Sequence, residues 1–167
     1  MRLSFVLFIF LSLMAGCQSE HRETVELGGG KSLTMSIMGL FSLQSDWERS
    51  LTISSSEQHL TVNLFSDTGW WRGSSLYLHK SGHYILQEGQ VGCTVFRFSP
   101  PELVTNSRAY CVRKDPSDEP RSDSETWGGY IQSRHYRDLY FIGLFFEANG
   151  AEKVLQFNPA SQQAEPL

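Results

Sequence analysis

Two histidines, His79 and His83, flank a Lys80-Ser81-Gly82 turn and bring two imidazoles across one hairpin. A bound metal commonly takes three or more ligands. No third lies close by, and His59 and Glu88 join only through the fold. The pair reads as an exposed polar turn, with no metal. Gly28-Gly29-Gly30-Lys31-Ser32 has the look of a phosphate loop, but that pattern needs a glycine where Val25 stands. A flexible turn accounts for it. Serines are abundant, yet none sits in a Gly-x-Ser-x-Gly elbow, and Ser74 lacks the second spaced glycine. The carboxylates of Asp118-Glu119 and of Asp123 and Glu125 fall in a polar stretch, whereas glycosidase acids need burial and a fixed separation. The chain reads as a non-enzyme without a cofactor.

Binding chemistry is better represented. Trp70-Trp71-Arg72 places two adjacent indoles, which on a strand point to opposite faces. One enters the core and the other stays partly exposed beside Arg72. Trp127, Tyr130, Tyr136 and Arg137 surround a Gly128-Gly129 pair after a charged segment. Trp, Tyr and Arg are enriched at binding hot spots. These seven residues are the candidate partner-binding surface.

The elements that must position them read as short strands. Leu33, Met35 and Ile37 alternate with Thr34 and Ser36, and Leu60, Val62 and Leu64 with Thr61, Asn63 and Phe65. Leu76 and Leu78 precede the Lys80-Ser81-Gly82 turn and Tyr84 to Leu86 follow it, a hairpin. Cys93 to Phe98 is β-branched and aromatic and stops at Pro100-Pro101; Ala109 to Arg113 is a further short strand. Lys114 to Glu125 holds nine charged residues or prolines in twelve positions and reads as an exposed loop. Leu139 to Phe146 is the most apolar stretch after the N-terminus, and Asn149-Gly150 marks its hairpin to Val154–Phe157. Both faces of that apolar stretch require cover: one from the core, the other from a helix, a loop or another protein, including a second copy. No amphipathic helix stands out. The pattern predicts an all-β antiparallel sandwich or small barrel of about nine short strands.

The chain has 167 residues, a formal net charge of −4 and 13% aromatics. That length fits one domain, and the charge excludes the basic face of a nucleic-acid binder. At the N-terminus, Arg2 is followed by an almost unbroken apolar run from Leu3 to Met14, too short to span a bilayer core of about 20 helical residues. Ala15, Gly16 and Cys17 come next.

Leu13-Met14-Ala15-Gly16-Cys17 resembles the lipobox of bacterial lipoprotein precursors, with Met14 where leucine is commoner. The resemblance implies cleavage before Cys17 and diacylation of that cysteine. Residues 1–16 are then the signal peptide, 17–24 the lipidated end and tether, 25–158 one β-rich domain and 159–167 a polar tail. Acyl chains anchor such a protein without spanning the membrane. Gln18 replaces the aspartate of inner-membrane retention, which implies the outer membrane, facing the periplasm. Setting Cys17 aside leaves Cys93 and Cys111, an even pair that in an exported domain reads as a disulfide.

A lipid anchor, a compact β domain, one disulfide and an acidic balance together resemble the immunity lipoproteins that neutralise secreted antibacterial effectors in the periplasm. That resemblance is architectural and carries no site residues. Its implied partner is an effector protein. The alternatives are an assembly lipoprotein of an envelope machine and, more remotely, an envelope hydrolase.

Overall fold

The computed structural model describes residues 19–39, 47–65, 71, 73–89, 92–105, 107–111, 126–127, 130–131, 138–148 and 154–160. The first four strands form an antiparallel meander: β1 (Glu20–Gly28), β2 (Lys31–Gly39), β3 (Trp47–Ser54) and β4 (His59–Asn63). Gly28, Gly29 and Gly30 all take positive φ at the β1–β2 turn, a conformation L side chains resist. Period-two alternation then sorts the faces. Leu33, Met35, Ile37, Leu51 and Ile53 point inward and are fully buried, while Thr34, Thr52 and Thr61 point to the other face.

The second sheet has six antiparallel strands in the order β12-β11-β5-β6-β7-β8. These are β5 (Ser74–His79), β6 (Tyr84–Gln87), β7 (Cys93–Phe98), β8 (Pro101–Leu103), β11 (Leu139–Glu147) and β12 (Leu155–Pro159). A two-stranded ribbon, β9 (Thr126–Trp127) and β10 (Tyr130–Ile131), pairs separately. The inner face of the six-stranded sheet supplies Leu76, Leu86, Phe96, Phe145 and Leu155, which join the inward side chains of the meander in one core. Tyr84 stacks on Phe96 and meets Phe98 edge-on, with centroids 5.7 and 4.8 Å away. Each such side chain contributes about 1.5–3 kcal/mol on burial, so the shared core holds the sheets together. The sheets remain separate ladders rather than closing, which makes the fold a sandwich and not a barrel.

The six-stranded sheet is covered on its other face too. Tyr77, Ile85 and Val95 pack there with Leu139, Phe141, Val104 and Tyr110. Leu139 to Phe146 is thus central, hydrogen-bonded to β5 on one side and β12 on the other, and both faces find cover within the chain.

Two local expectations differ from the structure. Strand β1 begins at Glu20, inside the segment read as a tether, so the folded unit starts before residue 25. Its polar run is a strand because His21, Glu23, Val25 and Leu27 alternate inward beside β2. Ala109 to Arg113 was expected as a strand, but Arg108–Cys111 forms a single helical turn, α1. The N–H groups of Tyr110 and Cys111 both bond the Ser107 carbonyl, and the Cys111 sulfur is tied to Cys93. Tertiary attachment overrides local β propensity here. The two sheets hold ten strands among the described residues, in keeping with the nine or so expected, and the short β9–β10 ribbon adds a further pair.

Candidate functional site

A polar clamp crosses the sandwich at one end. Arg49 occupies the inward phase of β3, in step with Leu51 and Ile53, and is only 3% exposed. Its Nη2 donates to the Phe65 carbonyl at 2.7 Å, and its Nη1 donates to the Glu88 carbonyl at 2.9 Å and to Ser74 Oγ at 3.4 Å. The Ser74 hydroxyl also accepts from Trp71 Nε1 (3.0 Å) and donates to the Glu88 carbonyl (3.2 Å). The Glu88 carboxylate, itself buried, accepts from the Phe65 N–H and from the Thr94 hydroxyl, both at 2.6 Å. Buried polar groups are tolerated when hydrogen-bonded in this way.

The clamp has an outward consequence. Phe65 has its carbonyl held by Arg49 and its N–H by Glu88, so its backbone is fixed on both sides. The residue is nonetheless 48% exposed. Anchors held in place before binding cost less entropy to dock.

A second feature lies on the outer face of the meander. Thr24, Thr34, Thr52 and Thr61 stand opposite one another across all four strands. Thr24 and Thr34 share a hydrogen bond of 2.8 Å, and Thr52 and Thr61 one of 2.9 Å. The next rung is Arg22, Ser36, Ser50 and Asn63, and beyond it lie Glu20, Met38 and Glu48. Over these last two rungs opens a cavity of about 300 Å³. Ser36 in its wall is only 8% exposed. Arg22 bridges to Glu20 at 2.8 Å, and chiefly this hydrogen bond, with a further one from Ser36, holds the Glu20 carboxyl below its ordinary range.

The histidine turn forms a third cluster. The Ser81 N–H donates to His79 Nδ1 at 3.1 Å, and Ser81 Oγ lies 2.7 Å from that nitrogen and 2.9 Å from His83 Nδ1. Tyr110 on α1 packs edge-on against both imidazoles. Glu88 is committed to the clamp and His59 stands on β4, so neither reaches this turn. Among the described residues no group of three metal-type side chains gathers. Cys93 and Cys111 form a disulfide with Cα atoms 5.9 Å apart, which fastens α1 over the outer apolar cluster.

Of the predicted surface aromatics, Trp71 is the indole that enters the core, which removes it from any surface site. Its face carries the Arg49 guanidinium. Trp127 and Tyr130 are cross-strand partners in the β9–β10 ribbon. Cys17, Trp70, Arg72, Tyr136, Arg137 and the whole Lys114–Glu125 segment lie outside the described residues. The sequence reading gave no role to Arg49 or Phe65 and named Glu88 only against a metal, although Arg49 breaks the alternation of β3 and the other two lie just past the ends of β4 and β6. Arg49 and Glu88 sit on inward phases, after the pattern of Leu51 and Leu86, and Phe65 sits on the outward phase of Thr61 and Asn63. Compared with known families, curated proteins and solved structures, the chain matches none of them.

Proposed function

We propose that the chain is the precursor of a lipid-anchored envelope protein that binds and neutralises an antibacterial effector in the periplasm. The observation that carries the binding role is Phe65: an exposed aromatic ring on a backbone fixed from both sides by buried Arg49 and Glu88. A rigid aromatic anchor is the usual centre of a protein-binding hot spot. The lipobox at Leu13–Cys17 supports the address, and the Cys93–Cys111 disulfide suits an oxidising compartment. Lipidation at Cys17 anchors the domain, and Gln18 in place of aspartate supports the outer membrane, facing the periplasm.

The test is a competition experiment in the parent organism. A deletion strain is expected to die only beside siblings that deliver the effector. Cys17→Ser is expected to leave the protein unanchored, and Phe65→Asp to abolish protection while the domain stays folded. Envelope weakness in the deletion strain grown alone would sink this reading and favour the assembly alternative.

A further inference from the structure

The hydroxyl-rich face of the meander is poorly suited to the partner that Phe65 suits. Hot spots between proteins favour Trp, Tyr and Arg and are poor in Ser and Thr. The cavity wall instead combines the carboxylates of Glu20 and Glu48, the hydroxyls of Ser36 and Ser50 and the carboxamide of Asn63, with the Met38 thioether as an apolar contact. This set contains hydrogen-bond acceptors and donors together. It carries little net field, because Arg22 is paired with Glu20 and Arg49 borders the cavity. An ion of either sign gains little there. A neutral ligand that both donates and accepts hydrogen bonds gains most.

Size narrows the class. About 300 Å³ is at the small end of ligand pockets, room for a ring-sized unit. The threonine rung beside it continues the hydroxyl surface across four strands, a width of about 14 Å at the usual strand spacing. We infer that the cavity over the Ser36–Ser50–Asn63 rung binds one uncharged sugar unit, and that the Thr24–Thr34–Thr52–Thr61 rung supports the next unit of the same chain. The ligand hydroxyls donate to Glu20 and Glu48 and accept from Asn63 and the serines. Met38 meets the C–H face of the ring. This site is independent of the effector-binding reading. The sugar reaches it either on a free glycan or on a lipid headgroup.

Calorimetric titration of the full chain tests this, with the protein in detergent micelles for the soluble sugars and freed of detergent for the vesicles. The probes are neutral trisaccharides of glucose and of N-acetylglucosamine, and vesicles of zwitterionic lipid with and without a glucosyl lipid. Saturable binding of a soluble trisaccharide supports the inference with a glycan source. Binding only to the glucosyl-lipid vesicles supports it with a lipid source. In either case Asn63→Ala and Ser50→Ala are expected to weaken binding at least tenfold. Glu26→Gln, on the far side of the threonine rung, is expected to leave it intact. No saturable binding in any arm overturns the inference, as does binding that both alanine variants leave unchanged. Both alanine variants lie on the outer face, and a thermal melt reports directly whether they fold.

Discussion

The guanidinium of Arg49 lies over the indole of Trp71, 5.3 Å from the ring centroid, and both side chains donate to the hydroxyl of Ser74. One residue comes from the meander, one from the connection between the sheets and one from the six-stranded sheet. The contact therefore ties three segments that local sequence alone does not bring together. Arg49 serves here as a structural bolt, because its fork reaches two carbonyls while its planar face stacks on an aromatic.

Replacing Arg49 by Met keeps much of the volume and removes the donors. The Phe65 carbonyl then loses its Arg49 bond, while the Glu88 carbonyl keeps only the one from Ser74, and a buried acceptor left unmade costs about 1–3 kcal/mol. Urea unfolding is expected to show Arg49→Met destabilised by at least about 2 kcal/mol. Arg49→Lys should recover little, since an ammonium cannot span both carbonyls and stack on Trp71. A Met variant as stable as the parent would show that packing, not hydrogen bonding, holds this end.

The Cys93–Cys111 bridge closes a separation of 18 residues. The chain-entropy relation gives about 3 kcal/mol for a loop of that size. The double variant Cys93→Ser, Cys111→Ser should lose about that much stability in denaturant titration. Hydrogen exchange should rise first at α1 and around Tyr110. A loss well below 1 kcal/mol would mean that Val104 and Tyr110 hold this segment by packing alone.

Gly143 faces the ring of Phe157 on the neighbouring strand. A methyl group built there would collide with that ring and would stand 2.6 Å from the Asn158 carbonyl oxygen. Gly143→Ala therefore forces β12 away from β11. Overpacking of this kind costs about 1–3 kcal/mol. The pair Gly143→Ala, Phe157→Leu is expected to recover part of the loss, and a double-mutant cycle measures the coupling.

Burial of His79 lowers its pKa from the ordinary 6.5, a pull reinforced by Lys80 and His83 and opposed by Asp138. In the folded state its Nδ1 accepts from the Ser81 N–H, which requires a neutral ring nitrogen. The unfolded chain therefore binds this proton first as pH falls. The stability associated with neutral His79 is full above pH 6.5 and is lost as pH drops through the lower folded value. Unfolding midpoints measured from pH 7.5 down to 5 should fall, and His79→Gln should flatten that slope. An unchanged slope in the variant would assign the acid sensitivity elsewhere.

Much of the sandwich was legible in the sequence because β side chains alternate with period two. Leu33, Met35 and Ile37 could only face inward, and the glycine run could only turn. The disulfide was legible from cysteine number, and the hairpin of β5 and β6 from its Lys80-Ser81-Gly82 turn. What the chain does at a distance was not legible. That α1 is helical depends on Cys93 and the apolar face it covers, not on the residues 108–111 themselves. That Trp71 goes inside depends on Ser74 and Arg49 arriving from two sheets. The row of four threonines depends on register, which is set by the pairing of inward faces across strands up to 37 positions apart. Local pattern therefore determined which side of each strand is wet. Only the tertiary packing decided which wet and which buried polar groups stand together, because those neighbours come from different strands.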